Sequence, residues 1–205
     1  MTNPIQHAIE SRISINHFQP NCPFDEDVIT SLIYQATKAP SAYNLQNWRF
    51  IAARSHEAKV RLKAAAFGQQ KIEDASVAFV ICGTLAAHTQ LASALQPSVD
   101  AQIMAQDIAD VWVARASVDH PASPVLQRDE AVRSASLAAM TLMLAAQGMK
   151  LGSCAMSGFD AELVRQSFNL SADELPVMIV TVGHPAQGNW PQKIRKALPE
   201  VLSIV

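Results

Sequence analysis

The 205 residues carry 16 Lys plus Arg against 18 Asp plus Glu, a formal net charge of −2, and 49% of them are hydrophobic. That balance excludes an electrostatic nucleic-acid binder, which needs a basic face, and so much apolar material excludes intrinsic disorder and can fill one sizeable core without staples. The longest nearly uncharged apolar stretch, residues 135–149, falls short of a membrane span, and no basic segment precedes an apolar one at the N-terminus, so the expectation is a cytoplasmic protein that engages neither membrane nor nucleic acid.

Taken in chain order, Asn3 followed by Pro4 reads as an N-cap with proline at the first helical position, which predicts a short helix over 4–10. It delivers the chain to an extended piece over 11–18. Asp25 then precedes Val28, Ile29, Leu32, Ile33 and Ala36 at helical spacing, and Pro40 requires that helix to have ended. A polar loop over 41–47 leads into a strand at 48–53. Ser55 caps a helix running to about Ala66, and the apolar run 76–82 predicts a central strand.

Residues 84–148 are helical in pattern, with a break around 120–124 where two prolines flank Ala122 and Ser123. The stretch 131–147 is the longest apolar helix, with Gly148 placed as its C′ residue. A short extended piece at 153–156, a helix capped by Asp160 and a strand at 177–182 follow, before a tail holding Pro185, Pro191 and Pro199. Without an internal repeat or a low-complexity linker, the whole chain, 1–205, reads as a single domain.

Cys22, Cys82 and Cys154 are odd in number and lack CxxC spacing, which disfavours a disulfide framework or a zinc ribbon and suits a reducing compartment. Cys82 and Cys154 have apolar neighbours and read as small hydrophobes. Histidines 7, 17, 56, 88, 120 and 184 form no ligand-spaced set, so no metal is assigned. Neither GxGxxG, P-loop, HExxH nor GxSxG occurs, so any redox nucleotide is held in another way.

The polar groups that remain fall into short segments spread along the chain. In Arg12-Ile13-Ser14-Ile15-Asn16 a cation, a hydroxyl and an amide share one side if the segment is extended, although a solvated strand edge would use the same residues. The loop Ala39-Pro40-Ser41-Ala42-Tyr43-Asn44-Leu45-Gln46-Asn47-Trp48 concentrates hydrogen-bonding side chains between a helix and a strand. Phe67-Gly68-Gln69-Gln70-Lys71 puts amides just ahead of the central strand. In Ser153-Cys154-Ala155-Met156-Ser157-Gly158-Phe159-Asp160 a glycine precedes a helix N-terminus, whose free N–H groups attract electron-rich atoms. Lys193 and Arg195 add two cations, which plain solvation would also explain.

These segments, in this order, resemble the nitroreductase family of FMN-dependent oxidoreductases over nearly the whole chain. Arg12-Ile13-Ser14-Ile15-Asn16-His17-Phe18 is similar to that family's R-R-S-x-R/K-x-F, and Ala39 to Trp48 is similar to its A-P-S-x-x-N-x-Q-P-W. Ile72-Glu73-Asp74-Ala75-Ser76 resembles its middle motif, and Gly158-Phe159-Asp160 with Lys193 and Arg195 its C-terminal pair. The sequence departs from the pattern at Ile13 and Asn16, where the family has cations, at Asn47, where it has proline, and at Gly68, where some relatives have Asn.

The resemblance implies an α+β fold, a mostly antiparallel sheet surrounded by helices, and a homodimer with FMN at the interface. It implies that Arg12, Lys193 and Arg195 surround the FMN phosphate, that Ser14 and Asn16 lie along the ribityl chain or ring edge, and that Ile13 and Met156 belong to the same site. Pro40, Ser41 and Asn44 are implied to face the flavin from the neighbouring subunit. Gln69 or Gln70 would reach its polar edge, Ser134 would approach across the interface, and the backbone of Ser157 and Gly158 would address N5. Tyr43 and Trp112 are candidates for the substrate pocket, although Trp112 could equally pack within its helix.

The implied activity is transfer of a hydride from NAD(P)H through the flavin to nitroaromatic, quinone or similar electron-poor acceptors, with ping-pong kinetics and no side-chain acid or base. Two other functions fit the same fold. One turns reduced flavin to oxygen-dependent or dehydrogenation chemistry. The other is a flavin-binding protein without turnover, which the missing cations at Ile13 and Asn16 would suit.

Overall fold

Asn3 and Pro4 start the first helix: in the computed structural model, which describes residues 3–205, the Asn3 side chain accepts from the Ile5 N–H at 2.9 Å and α1 spans Pro4–Ser11. Then come α2 (Glu26–Ala36), β1 (Trp48–Ala53), α3 (His56–Ala65), the single turn α4 (Lys71–Asp74) and β2 (Val77–Thr84). The second half holds α5 (Leu91–Asp100), α6 (Gln106–Ala122), α7 (Pro124–Gly148), β3 (Gly152–Met156), α8 (Ala161–Ser167), β4 (Glu174–Gly183) and a final turn α9 (Leu198–Val201).

The four strands form one sheet in the order β1-β2-β4-β3, antiparallel throughout. β2 is central and its alternation sorts the core into two layers. Val77, Phe79 and Ile81 face α2 and α7, packing with Leu32, Leu142 and Ala146. Ala78, Val80 and Cys82 face the other way, with Leu62 of α3 and Val164 of α8. Helices on both faces explain why β2 is an unbroken apolar run rather than an alternating one. The α7 layer lies directly on β2 at Gly83, where a Cβ would come within 2.5 Å of the Ala131 carbonyl oxygen.

A smaller cluster caps the β1 end of the sheet. Leu45, Leu91, Leu95, Ala109 and Ala116 bury there, with Tyr43 and Trp112 packed against them. This group comes from the loop before β1 and from α5 and α6.

Several expectations move. Gly148 is not the left-handed C′ residue: α7 runs through it, and Lys150 takes φ 60° while the Leu151 N–H reaches back to the Ala146 carbonyl at 2.9 Å. The buried Ala146 and Leu151 fix that exit, so packing rather than glycine places the turn. The long helix also begins earlier than 131. Ser123 is the break residue, ending α6 and capping α7 by accepting from the Leu126 N–H at 3.2 Å, with Pro124 at the first helical position. β4 starts at Glu174, ahead of 177, because a bulge opposite Ile81 and Cys82 accommodates Pro176 within the strand.

Candidate functional site

β3 is an edge strand, and its outer side is where distant parts of the chain meet. Ser14 bridges Ser153 in parallel, and the Ile15 N–H donates to the Ser153 carbonyl at 3.0 Å. Gly152 permits this approach, since a Cβ there would sit 2.5 Å from Ile15 Cγ1 and 2.9 Å from Pro185 Cγ. Ile15, buried, and Ile13, packed with it, face inward and leave Arg12, Ser14 and Asn16 on the other side, as alternation requires.

The C-terminal segment is stitched to this first segment. Asn189 Oδ1 accepts from the backbone N–H groups of Asn16 at 2.7 Å and His17 at 3.0 Å, and its Nδ2 donates to the His17 carbonyl at 2.9 Å. Gln192 Nε2 donates to the Arg12 carbonyl at 3.2 Å. The outcome is a small cleft of about 160 Å³ lined by Arg12, Ser14, Gln192, Lys193 and Arg195, with Ile13 and Pro191 at its margin. Three cationic residues and no carboxylate line it, with the Lys193 ammonium 4.9 Å over the Trp190 ring. None of the three is ion-paired among the described residues.

A further cation arrives from the middle of the chain. Lys71 Nζ donates to Asn16 Oδ1 at 2.9 Å and lies 3.8 Å from Cys154 Sγ. No motif singles out Lys71 in the sequence. The signal was available in Asn16 itself, a neutral amide at a cationic position that left room for a charge from elsewhere.

Gln69 points to the same edge, its Nε2 donating to the Gly158 carbonyl at 2.9 Å, while the exposed N–H groups of Ser157 and Gly158 have no protein acceptor among the described residues. Gln70 turns away, accepting from Lys63 Nζ at 2.5 Å and donating to Asp74 at 2.8 Å. Met156 faces the α3 and α8 core layer rather than the cleft. Ser134 is only 1% exposed on α7.

The loop before β1 makes a second, separate group. Tyr43, Asn44 and Gln46 all have positive φ, at 52°, 56° and 48°, and Ser41 Oγ accepts from the Gln46 N–H at 2.9 Å to hold the turn. Backbone strain of this kind, about 1 kcal/mol or more per residue, persists where the surroundings over-determine it. Pro40 and Asn44 are exposed. Tyr43 meets Trp112 edge-on, ring centres 5.8 Å apart, beside a cavity of about 530 Å³ that His120 and Glu130 also line. This group adjoins β1, the sheet edge opposite β3, so within one protomer β2 and β4 lie between the two edges.

Among the described residues no helix is long and apolar enough to cross a membrane. Burial pushes the Cys82 thiol up to about 12 and so keeps it protonated.

Comparison with known proteins agrees with this layout. Residues 9–184 match the model of the nitroreductase family. The chain is 32% identical over 183 residues to Bacillus subtilis YodC, provisionally named an NAD(P)H nitroreductase, covering 89% of this chain and 90% of YodC. It is 29% identical to the solved structure of ydfN from Bacillus subtilis, with a TM-score of 0.90 and 97% of each chain covered. A structure from Exiguobacterium sibiricum, solved in complex with FMN, shares the fold with a TM-score of 0.91 at 24% identity, covering 100% of this chain and 98% of that one. Motif order, antiparallel sheet and cationic cleft thus converge with these matches, and the chain belongs to the nitroreductase family.

Proposed function

We propose that this protein is an FMN-dependent NAD(P)H oxidoreductase that reduces electron-poor acceptors such as nitroaromatics and quinones. The observation that carries the reading is the convergence of Arg12, Lys193 and Arg195 on one small cleft without a carboxylate among them. Unpaired cations held together repel one another, and a dianionic phosphate monoester relieves that repulsion. The cleft volume, about 160 Å³, equals roughly five waters at about 30 Å³ each, room for a phosphate group.

The other residues of the β3 edge suit the rest of FMN. Ser14 offers a hydroxyl beside the cleft, and Lys71 with Asn16 offers a charged amide–ammonium pair next to it. The Ser157 and Gly158 N–H groups stand free to donate to a ring that gains negative charge on reduction. FMN held there would supply two-electron hydride chemistry between NAD(P)H and the acceptor. The chain's part is to bind, orient and shield, so no side-chain acid or base is assigned to the hydride step. Donor and acceptor take turns in one pocket, and the kinetics are ping-pong.

Pro40, Ser41 and Asn44 complete the site from a second copy of the chain. Their place at the sheet edge opposite β3 supports this, because a two-fold partner brings one protomer's loop to the other's cleft. The homodimer also gives a use to Leu137 and Met140, apolar residues on α7 that are 41% and 36% exposed.

The visible spectrum of the purified protein tests the proposal. A yellow protein that bleaches with NADH or NADPH supports it. Colourless protein that does not take up added FMN refutes it, and a monomer in sedimentation refutes the shared site.

A further inference from the structure

We propose that His120 is a specificity-determining residue of the acceptor pocket, where its imidazole hydrogen-bonds an oxygen atom of a flat, uncharged acceptor held beside Tyr43 and Trp112. This rests on the oxidoreductase reading and adds to it the residue that selects the acceptor.

The cavity of about 530 Å³ has the size of a small-molecule site. Its walls are unequal. Tyr43 and Trp112 meet edge-on and offer flat apolar surface, with Leu126 on the wall. Two carboxylates, Asp119 and Glu130, also line it, but each is engaged by an arginine outside, Asp119 by Arg115 Nε at 2.8 Å and Glu130 by Arg133 Nη1. With both carboxylates already paired, this wall offers a charged ligand no free counter-charge.

His120 is different. The residue is 3% exposed, it lines the cavity, and among the described residues neither of its ring nitrogens hydrogen-bonds to protein; only its carbonyl is used, accepting from Gln127 Nε2 at 2.9 Å and the Ser123 N–H at 3.1 Å. Unlike His88 Nδ1, the His120 ring nitrogens keep contact with the cavity, where a ligand can pair with them. The His88 ring lies beside it, tilted by 38° with centroids 5.3 Å apart, and His88 Nδ1 is itself buried and unpartnered. Burial and the neighbouring imidazole both lower the His120 pKa, so the ring is neutral near pH 7 and presents one N–H and one lone pair. An acceptor oxygen satisfies that N–H, and a molecule lacking it leaves the N–H buried and unmet, which gives such a site its discrimination.

The test uses the FMN-loaded enzyme with 1,4-benzoquinone, which carries the oxygens, and ferricyanide, an anion that takes single electrons without entering an aromatic slot. His120→Leu is expected to raise the KM for benzoquinone about tenfold, the loss of one hydrogen bond, with kcat within about twofold. His120→Asn, which keeps an N–H donor, is expected to recover most of that loss. Ferricyanide reduction by both variants should stay within about twofold of the parent. An unchanged benzoquinone KM in His120→Leu overturns the proposal, as does an equal loss with both acceptors, which would mark a purely structural role. Flavin uptake and bleaching by NADH or NADPH in the unmodified enzyme test the underlying reading separately: if they succeed and the KM does not move, only the His120 role falls. Should His120→Leu misfold, the same KM comparison on His120→Phe, which keeps a flat ring and lacks the N–H, decides, because a structural histidine would not make the two acceptors diverge.

Discussion

Removing one cation from the cleft should weaken FMN without weakening riboflavin. Arg12→Ala and Lys193→Ala each delete a charge facing the cleft of about 160 Å³ and leave its backbone intact, since Gln192 and Asn189 hold the two chain ends through main-chain atoms. A charge-assisted hydrogen bond is worth about 1.5–3 kcal/mol. Arg12 is half-buried and Lys193 exposed, so solvent screening brings each contact to about 1–1.5 kcal/mol, or about five- to twelvefold in Kd. The assay is quenching of flavin fluorescence by apoprotein, titrated with FMN and with riboflavin at several salt concentrations. Riboflavin lacks the phosphate, so its Kd should move by less than about twofold in both variants, and the salt dependence of FMN binding should flatten. Equal weakening of the two flavins would mean that these side chains act on folding or on the ring. An unchanged FMN Kd would remove the phosphate from the cleft altogether.

Other perturbations test the frame that carries the site. Gly83→Ala drives a Cβ to within 2.5 Å of the Ala131 carbonyl; the α7–β2 contact must open, and denaturant melts should register a loss of about 1–3 kcal/mol or more. Lys150→Gly relieves a left-handed lysine at φ 60° and should raise stability by about 0.5–1 kcal/mol, the strain released less the added freedom of the unfolded chain. Burial works against the Glu174 charge, but hydrogen bonds from Arg49 and from the Ser171 N–H outweigh it and lower its pKa below the ordinary 4.5. Stability that is present above pH 4.5 is therefore lost as pH falls through the depressed value, and Glu174→Gln should flatten that part of the stability profile. Thiol titration of the native protein should find Cys22 most reactive, with Cys82 silent until denaturant is added, because Cys82 is fully buried and its thiol is held protonated.

Much of the architecture is legible in the sequence because it is written in local chemistry. Asn3 with Pro4, Ser55 and Asp160 each hydrogen-bond the first turn of the helix they precede, and the run from Val77 to Cys82 becomes the central strand because an uninterrupted apolar stretch requires cover on both faces. Arg12, Lys193 and Arg195 are singled out by motif resemblance and meet in one cleft. Of the pair Gln69 or Gln70, Gln70 bonds to Lys63 and Asp74, while Met156 packs in the core layer and Ser134 is buried on α7. Adjacent residues on a turn or strand face opposite ways, and only the packed neighbours decide which one is left on the open side.

The sequence by itself determined which residue types are available and which segments become helix or strand, since caps, prolines and apolar periodicity act over a few residues. Tertiary structure alone decided where those segments meet. Lys71 reaches Asn16 across 55 positions of chain and Asn189 reaches the Asn16 N–H across 173, and such contacts exist only because β3 lies at the sheet edge and leaves its outer side open to both chain ends. His120 likewise emerges from a helix without distinguishing pattern. Its meaning lies in being buried, unpartnered and beside a cavity, properties that belong to the folded surroundings and not to the residue.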